Sequence, residues 1–292
     1  MNEFICNLCP RRCNILRSES KAGFCGMTTR IKIARAAPHF DEEPVISGTR
    51  GSGTVFFSGC SLKCRFCQNY SLSHEGFGAE ITPERLREIY FELIDQGCHN
   101  INLVNPTHYA EQIITSLQGG LPVPVVWNTG GYERVETIRR LEGLVQVYLP
   151  DFKYIDPVHA RRYSGAADYF DFAAPAIAEM LRQTGPVQLD AAGVIRRGTI
   201  TRHLILPGCA EESMAILSYI AENYPGAWVS LMAQYLPFGK VEGVDELNRR
   251  LTPEEYERVA DHLSELGIED GFIQELSSSD EKYIPRFDLT GI

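Results

Sequence analysis

The sequence predicts an α/β protein whose body is a partial (β/α)6 barrel of the TIM type, preceded by a small cysteine-rich metal-binding segment. Three observations carry this. Short apolar runs ending in turn residues alternate with stretches of helical period, which implies a parallel sheet covered by helices. Six such runs occur, too few to close an eight-stranded barrel. Seven of the nine cysteines fall in two tight groups, one ahead of the first run and one directly after it.

Composition narrows the class. In 292 residues, 44% are apolar, enough for a packed interior. The net charge of −10 argues against nonspecific nucleic-acid binding, which needs a basic footprint. No apolar run reaches the ~18 residues of a membrane span. The start, "MNEFICNLCPRRC", has no apolar core like that of a signal peptide. A cytoplasmic location is expected, where thiols stay reduced, so the grouped cysteines read as metal ligands rather than disulfides. Cys98 and Cys209 stand alone and read as small buried hydrophobes.

Two units are expected: 1–52, a cysteine-rich segment and linker, and 53–292, the barrel with a carboxyl-terminal helix and strand extension. Within the first, residues 31–52 read as an irregular connection. Its "PHFDEEP" reads as a solvated loop, with a lip over the active site as the alternative. Arg30, Lys32, Arg35 and Arg50 make the stretch locally basic. The strand runs are "TVFFSG", "NINLVNP", "VPVVWNTGG", "VQVYLPDFK", "TRHLILPG" and "WVSLMAQY". Thr82 and Pro83 open a helix with Leu86, Ile89, Leu93 and Ile94 on one face. Further helices are expected near 108–118, 133–142, 175–184 and 211–223. Thr252 and Glu255 form a capping box before the last one. Gly193, between two β-like runs in 187–206, marks a hairpin. Active sites of such sheets gather at the carboxyl ends of the strands. Cys60, Asn105, Asn128, Thr129, Asp151, Lys153, Gly208, Gln234 and Tyr235 all fall there.

The loop "GCSLKCRFC" places Cys60, Cys64 and Cys67 as C-x3-C-x2-C with no fourth cysteine nearby. Three thiolates on a cubane leave one iron open, which is what a catalytic metal needs. C-x3-C-x2-C directly after a first strand, with the aromatic Phe66 before the last cysteine, resembles the signature of radical S-adenosylmethionine enzymes. The resemblance implies a [4Fe-4S] cluster on these cysteines, with S-adenosyl-L-methionine chelating the open iron through its amino and carboxylate groups. It implies reductive cleavage of the sulfonium, then hydrogen abstraction, with Phe66 against the adenine and a reduced flavodoxin or ferredoxin as electron donor.

Within that superfamily the chain is similar to pyruvate formate-lyase activating enzymes and their homologues with a cysteine-rich head. "YLPDFK" resembles their D-x-K motif, which implies that Asp151 and Lys153 lie near the cosubstrate. "NTGGY" implies the same for Asn128 and Thr129. "RHLILPG" implies that Arg202 approaches the methionine carboxylate. Gln234 ends the sixth strand beside the same pocket. The activases carry a Gly-Gly-Glu type motif after the second strand, where this chain has "NPTH". Asn105 and Thr107 then take over the ammonium contact, although Thr107 also suits a helix cap and His108 a first helical turn.

Cys6, Cys9, Cys13 and Cys25 complete a four-thiolate set, for zinc or a second iron–sulfur cluster, with Arg11, Arg12 and Lys21 offsetting its charge. The basic stretch is either a solvated face or a docking surface for the donor. The expected substrate is a glycyl residue of a partner glycyl radical enzyme. The alternatives are a small molecule or peptide side chain and, from another class, a nonenzymatic iron–sulfur electron carrier.

Overall fold

The computed structural model describes residues 3–280 and 283–292. The chain begins with a two-stranded antiparallel hairpin, β1 (Phe4–Ile5) and β2 (Leu16–Arg17). It continues through β3 (Ile31–His39), the single turn α1 (Pro44–Ser47) and β4 (Ser52–Phe57). After the loop 58–69 come α2 (Tyr70–Ser73) and β5 (Ala79–Ile81). Strands and helices then alternate: α3 (Pro83–Asp95), β6 (Ile101–Val104), α4 (Ala110–Ser116), β7 (Val125–Thr129), α5 (Val135–Arg139) and β8 (Val147–Pro150). The pair α6 (Pro157–Ser164) and α7 (Tyr169–Thr184) precedes β9 (Gln188–Leu189) and β10 (Ile195–Leu204). Then follow α8 (Ala210–Asn223), β11 (Trp228–Met232), α9 (Pro253–Glu265) and β12 (Gly271–Ile273).

The main sheet runs β12-β11-β10-β8-β7-β6-β4-β3-β5, with β9 attached to β10. From β4 to β12 every neighbour along this path is parallel. The path has two ends, so the barrel is open. Its first six parallel strands are the six apolar runs. Local signals set the helices as expected. Thr82 caps α3 by accepting the Arg85 N–H, and Leu86, Ile89 and Leu93 are buried beneath it. Thr252 and Glu255 close a reciprocal capping box on α9. β9 and β10 form the hairpin; Asp190 accepts from the Ala192 and Val194 N–H groups, and Gly193 takes φ 76°. Cys98 and Cys209 are buried.

The structure corrects three expectations. α6 has no counterpart among the expected helices, though Asp156 accepts the Val158 N–H at its start and Gly165 is left-handed at its end. Residues 31–39 are not irregular. They form β3, antiparallel to both β4 and β5. A register shift between Ile33 and Arg35 breaks the period-two pattern that would have marked the strand. The carboxyl-terminal tail covers that irregularity: Leu289 N–H donates to Ala34 O, and Ala36 N–H donates to Thr290 O.

Nor is "PHFDEEP" a solvated loop or a lip. With α1 it plugs the barrel from the amino-terminal end. Ile46 is fully buried among Val126, Val147, Leu149, Ile195 and Ile200. Asn100 donates to the Ile46 carbonyl at 2.7 Å, which locks the turn to β6. The interior is therefore apolar below and open above. Ile46→Ala is expected to lower the unfolding free energy by about 2–5 kcal/mol in urea titration; a loss under about 1 kcal/mol contradicts the plug.

Candidate active site

At the carboxyl ends of the parallel strands lies a cavity of about 210 Å³. The loop 58–69 forms one wall and contributes Cys60, Cys64, Phe66 and Cys67. Gly59 makes the exit from β4, at φ 83°; a Cβ there would lie 2.3 Å from Met27 Cγ. Donors converge on the sulfurs. The Leu62 and Lys63 N–H groups point at Cys60 Sγ at 3.3 and 3.5 Å, and the Ser164 hydroxyl donates to Cys64 Sγ at 3.0 Å. Desolvation raises the Cys64 thiol, and desolvation plus the two neighbouring thiols push Cys67 up to about 12. Sulfurs in such a setting become thiolates on binding a metal. Three thiols served by N–H and O–H donors on one cavity wall fit an iron–sulfur cluster with one open iron. Phe66 lines the same wall, with its ring centroid 6.0 Å from that of Tyr235.

The floor is a chain of alternating charges. Lys153 Nζ is 2.6 Å from Asp151 Oδ2, and Arg202 Nε is 2.9 Å from Asp151 Oδ1. A second Arg202 nitrogen reaches Glu42 Oε2 at 3.3 Å, and a third donates to Asn128 Oδ1 at 2.6 Å. Glu42 Oε1 also accepts from Asn102 and Asn128. Burial opposes the charge on Asp151, yet Arg202 and Lys153 outweigh it and hold its carboxyl below the usual range. Burial likewise opposes the charge on Arg202; Asp151, Glu43 and Glu42 overcome it. Glu42 and Glu43 are raised by desolvation. Three of the five N–H donors of Arg202 are thus committed, leaving two for a ligand.

The remaining wall carries hydroxyls. The Thr107 and Thr129 hydroxyls both donate to Oε1 of Glu133, which is wholly buried behind them. With their protons committed, the hydroxyl oxygens of these two lining residues are left as acceptors, and that of Thr129 already takes the Gly131 N–H at 3.3 Å. Asn105 sits at φ 58°, and its amide donates to Gly59 O at 2.5 Å, fastening the end of β6 to the cysteine loop. His108 is buried, is pushed down to about 3 by burial and then by Arg17, and as a neutral ring donates to Ser58 O. Gln234 lines the cavity and accepts from Gln274. Gly131 has φ 78°, and a Cβ there would meet Asp151 O at 2.1 Å and the Tyr169 hydroxyl at 2.6 Å. That hydroxyl in turn receives the Lys153 N–H at 3.0 Å.

Of the sequence-named barrel residues, Cys60, Cys64, Cys67, Phe66, Asn105, Thr107, Asn128, Thr129, Asp151, Lys153, Arg202 and Gln234 all line this one cavity. Cys6, Cys9, Cys13 and Cys25 gather in the amino-terminal segment, outside it. There, a fully buried Arg17 acts on Cys25, whereas Lys21 is exposed. Two of the four cations of the basic stretch are ion-paired: Arg30 with Glu19 and Glu80, and Arg35 with Asp288.

The comparison with family models agrees with the metal reading. A family model described as a 4Fe-4S single cluster domain matches residues 47–146. The uncharacterized protein MJ0674 of Methanocaldococcus jannaschii is 33% identical over 269 residues, covering 87% of this chain and 72% of that protein. The chain belongs to the MJ0674 family. Among solved structures, a mutant of spore photoproduct lyase superposes with a TM-score of 0.48 at 11% identity, over 75% of this chain and 74% of the other. Among the described residues no helix is long and apolar enough to cross a membrane.

In this MJ0674-family chain, sequence reasoning missed Glu42, Glu133, Ser164 and Tyr169. Glu133 follows "NTGGY" directly, so its closeness to a strand end was a usable signal; Ser164 and Tyr169 offered none. Burial raises Glu133 from 4.5 to about 7, against the lowering hydrogen bonds from Thr107 and Thr129. The folded state therefore keeps this proton longer than the unfolded chain, and stability falls as pH rises from 4.5 to about 7. In Glu133→Gln that slope disappears. The variant's unfolding free energy relative to the parent should rise by on the order of 2–3 kcal/mol across the window and level off above it. A difference independent of pH contradicts the assignment.

Proposed function

We propose that this protein is a radical S-adenosylmethionine enzyme. The observation that carries the reading is the cavity itself: three thiols on one wall, acceptor hydroxyls on another and paired cations on the floor. Cys60, Cys64 and Cys67 would hold a [4Fe-4S] cluster. When bound, the cluster supplies the electron for reductive cleavage of the sulfonium, and the adenosyl fragment takes a hydrogen atom from the substrate.

The chain's own residues bind and orient. Thr107 and Thr129, polarised by Glu133, accept from the methionine ammonium. Once Glu133 ionises, above about pH 7, this supplies the negative character that the activases obtain from a glutamate after the second strand. Arg202 uses its two remaining donors on the carboxylate, and Asp151 and Lys153 hold it in place. Phe66 lies against the adenine. The donors to Cys60 and Cys64 withdraw charge from the sulfurs and raise the potential at which the cluster accepts an electron.

For the substrate, we infer a glycyl residue of a partner chain, on the likeness of "YLPDFK" and "NTGGY" to the activases. A small molecule or peptide side chain is the second reading. It is favoured by the amino-terminal segment on the same face, where Arg11 bonds the Ser61 and Gly165 carbonyls beside the cavity.

Anaerobically reconstituted, reduced protein is expected to convert S-adenosylmethionine to 5′-deoxyadenosine. Cys60→Ala, Cys64→Ala and Cys67→Ala should each fall to the protein-free background. A glycyl substrate shows as an electron paramagnetic resonance doublet on an added glycyl radical enzyme. A small substrate instead raises deoxyadenosine turnover with no partner present. A cluster spectrum unmoved by S-adenosylmethionine, with no deoxyadenosine, leaves only an electron carrier.

A further inference from the structure

The chemistry above does not use the four amino-terminal cysteines, yet the fold seats them against it. Cys6, Cys9 and Cys25 are buried, Cys13 is half-buried, and all four are free thiols. Cys13 Sγ and Cys25 Sγ lie 3.5 and 3.8 Å from where a Gly23 side chain would begin, so Gly23 keeps room between them. The Phe24 N–H points at Cys13 Sγ at 3.3 Å, and the Arg11 N–H bonds Cys9. Such donors serve a metal-bound sulfur as those at Cys60 and Cys64 do.

A second observation points to an anionic occupant. The Arg17 guanidinium is fully buried near Cys25 and bonds the carbonyls of Thr28 and His108. Among the described residues no carboxylate pairs with it. A buried cation requires a counter-charge, and a metal centre on four thiolates carries a net negative one.

Redox chemistry separates the two candidate metals. Zinc is redox-inert, whereas an iron–sulfur cluster takes up and gives back single electrons, which gives a site seated against a redox centre a use.

Position gives the role. A Cβ on Gly59, the neighbour of Cys60, would fall 2.9 Å from the Cys25 carbonyl. Arg11, two residues after Cys9, donates to the carbonyls of Ser61 and Ser164 at 2.8 and 3.0 Å. Ser164 is the residue whose hydroxyl donates to Cys64 Sγ. A close approach of backbone at Gly59 and one arginine thus join the two cysteine sets. Cys13 and the exposed Phe24 form the outer edge.

We propose that Cys6, Cys9, Cys13 and Cys25 hold a second [4Fe-4S] cluster that relays single electrons to the centre at Cys60, Cys64 and Cys67. In each transfer a low-potential flavin or iron–sulfur donor is oxidised by one electron. The relay cluster is reduced and reoxidised, and the inner centre gains the electron; no proton or group moves. This rests on the radical reading of the inner centre.

The test uses the full-length, anaerobically reconstituted protein. Metal analysis should give about eight irons and no stoichiometric zinc per chain, and about four irons in Cys13→Ala. With photoreduced flavodoxin as donor, freeze-quenched electron paramagnetic resonance should show the outer signal rising first in the parent protein. Cys13→Ala should lose donor-driven reduction of the inner centre, while dithionite still reduces it. If Cys13→Ala does not fold, the parent's metal count and order of reduction decide. About four irons, with or without a zinc, overturn the proposal. So does an inner centre reduced first, or unchanged donor-driven reduction in the variant. Failure of the dithionite-reduced parent to form deoxyadenosine rejects the radical reading and leaves the relay to its own counts.

Discussion

A guanidinium held inside an open barrel is the constraint around which this structure is arranged. Arg202 projects from β10 and is met by Asp151 after β8, Asn128 from β7 and Glu42 from the plug. Removing one partner of such a buried set typically costs about 3–5 kcal/mol, because the remaining charge is left without compensation. The set therefore fixes three strand ends and the plug relative to one another. It also divides the interior. Below it Ile46 and its neighbours exclude water. Above it the cavity is lined by groups many of whose hydrogen bonds are already assigned.

That preassignment sets what the cavity offers a ligand. Thr107 and Thr129 have given their protons to Glu133 and offer oxygen lone pairs. Arg202 and Lys153 offer N–H donors from the floor. A zwitterionic amino acid moiety matches both, whereas a simple anion or cation matches one. The cysteine wall is prepared in the same manner, with donors already aimed at Cys60 and Cys64. Preorganised dipoles of this kind do not have to reorient when charge arrives.

Much of this was legible in the sequence, because strand ends and cysteine spacing are local signals. "FFSGC", "LVNPT", "VWNTG" and "YLPDFK" each end an apolar run with polar residues, and a parallel sheet brings such ends together. What was illegible depends on long-range partners. The acids of "PHFDEEP" look solvated until Glu42 meets Arg202, 160 residues away. β3 hid because its register shift breaks alternation and because the tail residues Leu289 and Thr290, far along the chain, satisfy its backbone. Arg17 reads as an ordinary basic residue of a short head, yet it is fully buried beneath it. Glu133 lies four residues past Thr129, but only the fold shows that Thr107 shares it.

The central claim is that Cys60, Cys64 and Cys67 share one cluster with an iron that no side chain occupies. A crystal structure of the anaerobically reconstituted protein with S-adenosylmethionine tests it most directly. The account predicts one cubane on these three sulfurs, its fourth iron bound by the amino and carboxylate groups of the ligand between Thr107 and Arg202. A protein side chain on that iron, or the three sulfurs divided among separate metals, would contradict it.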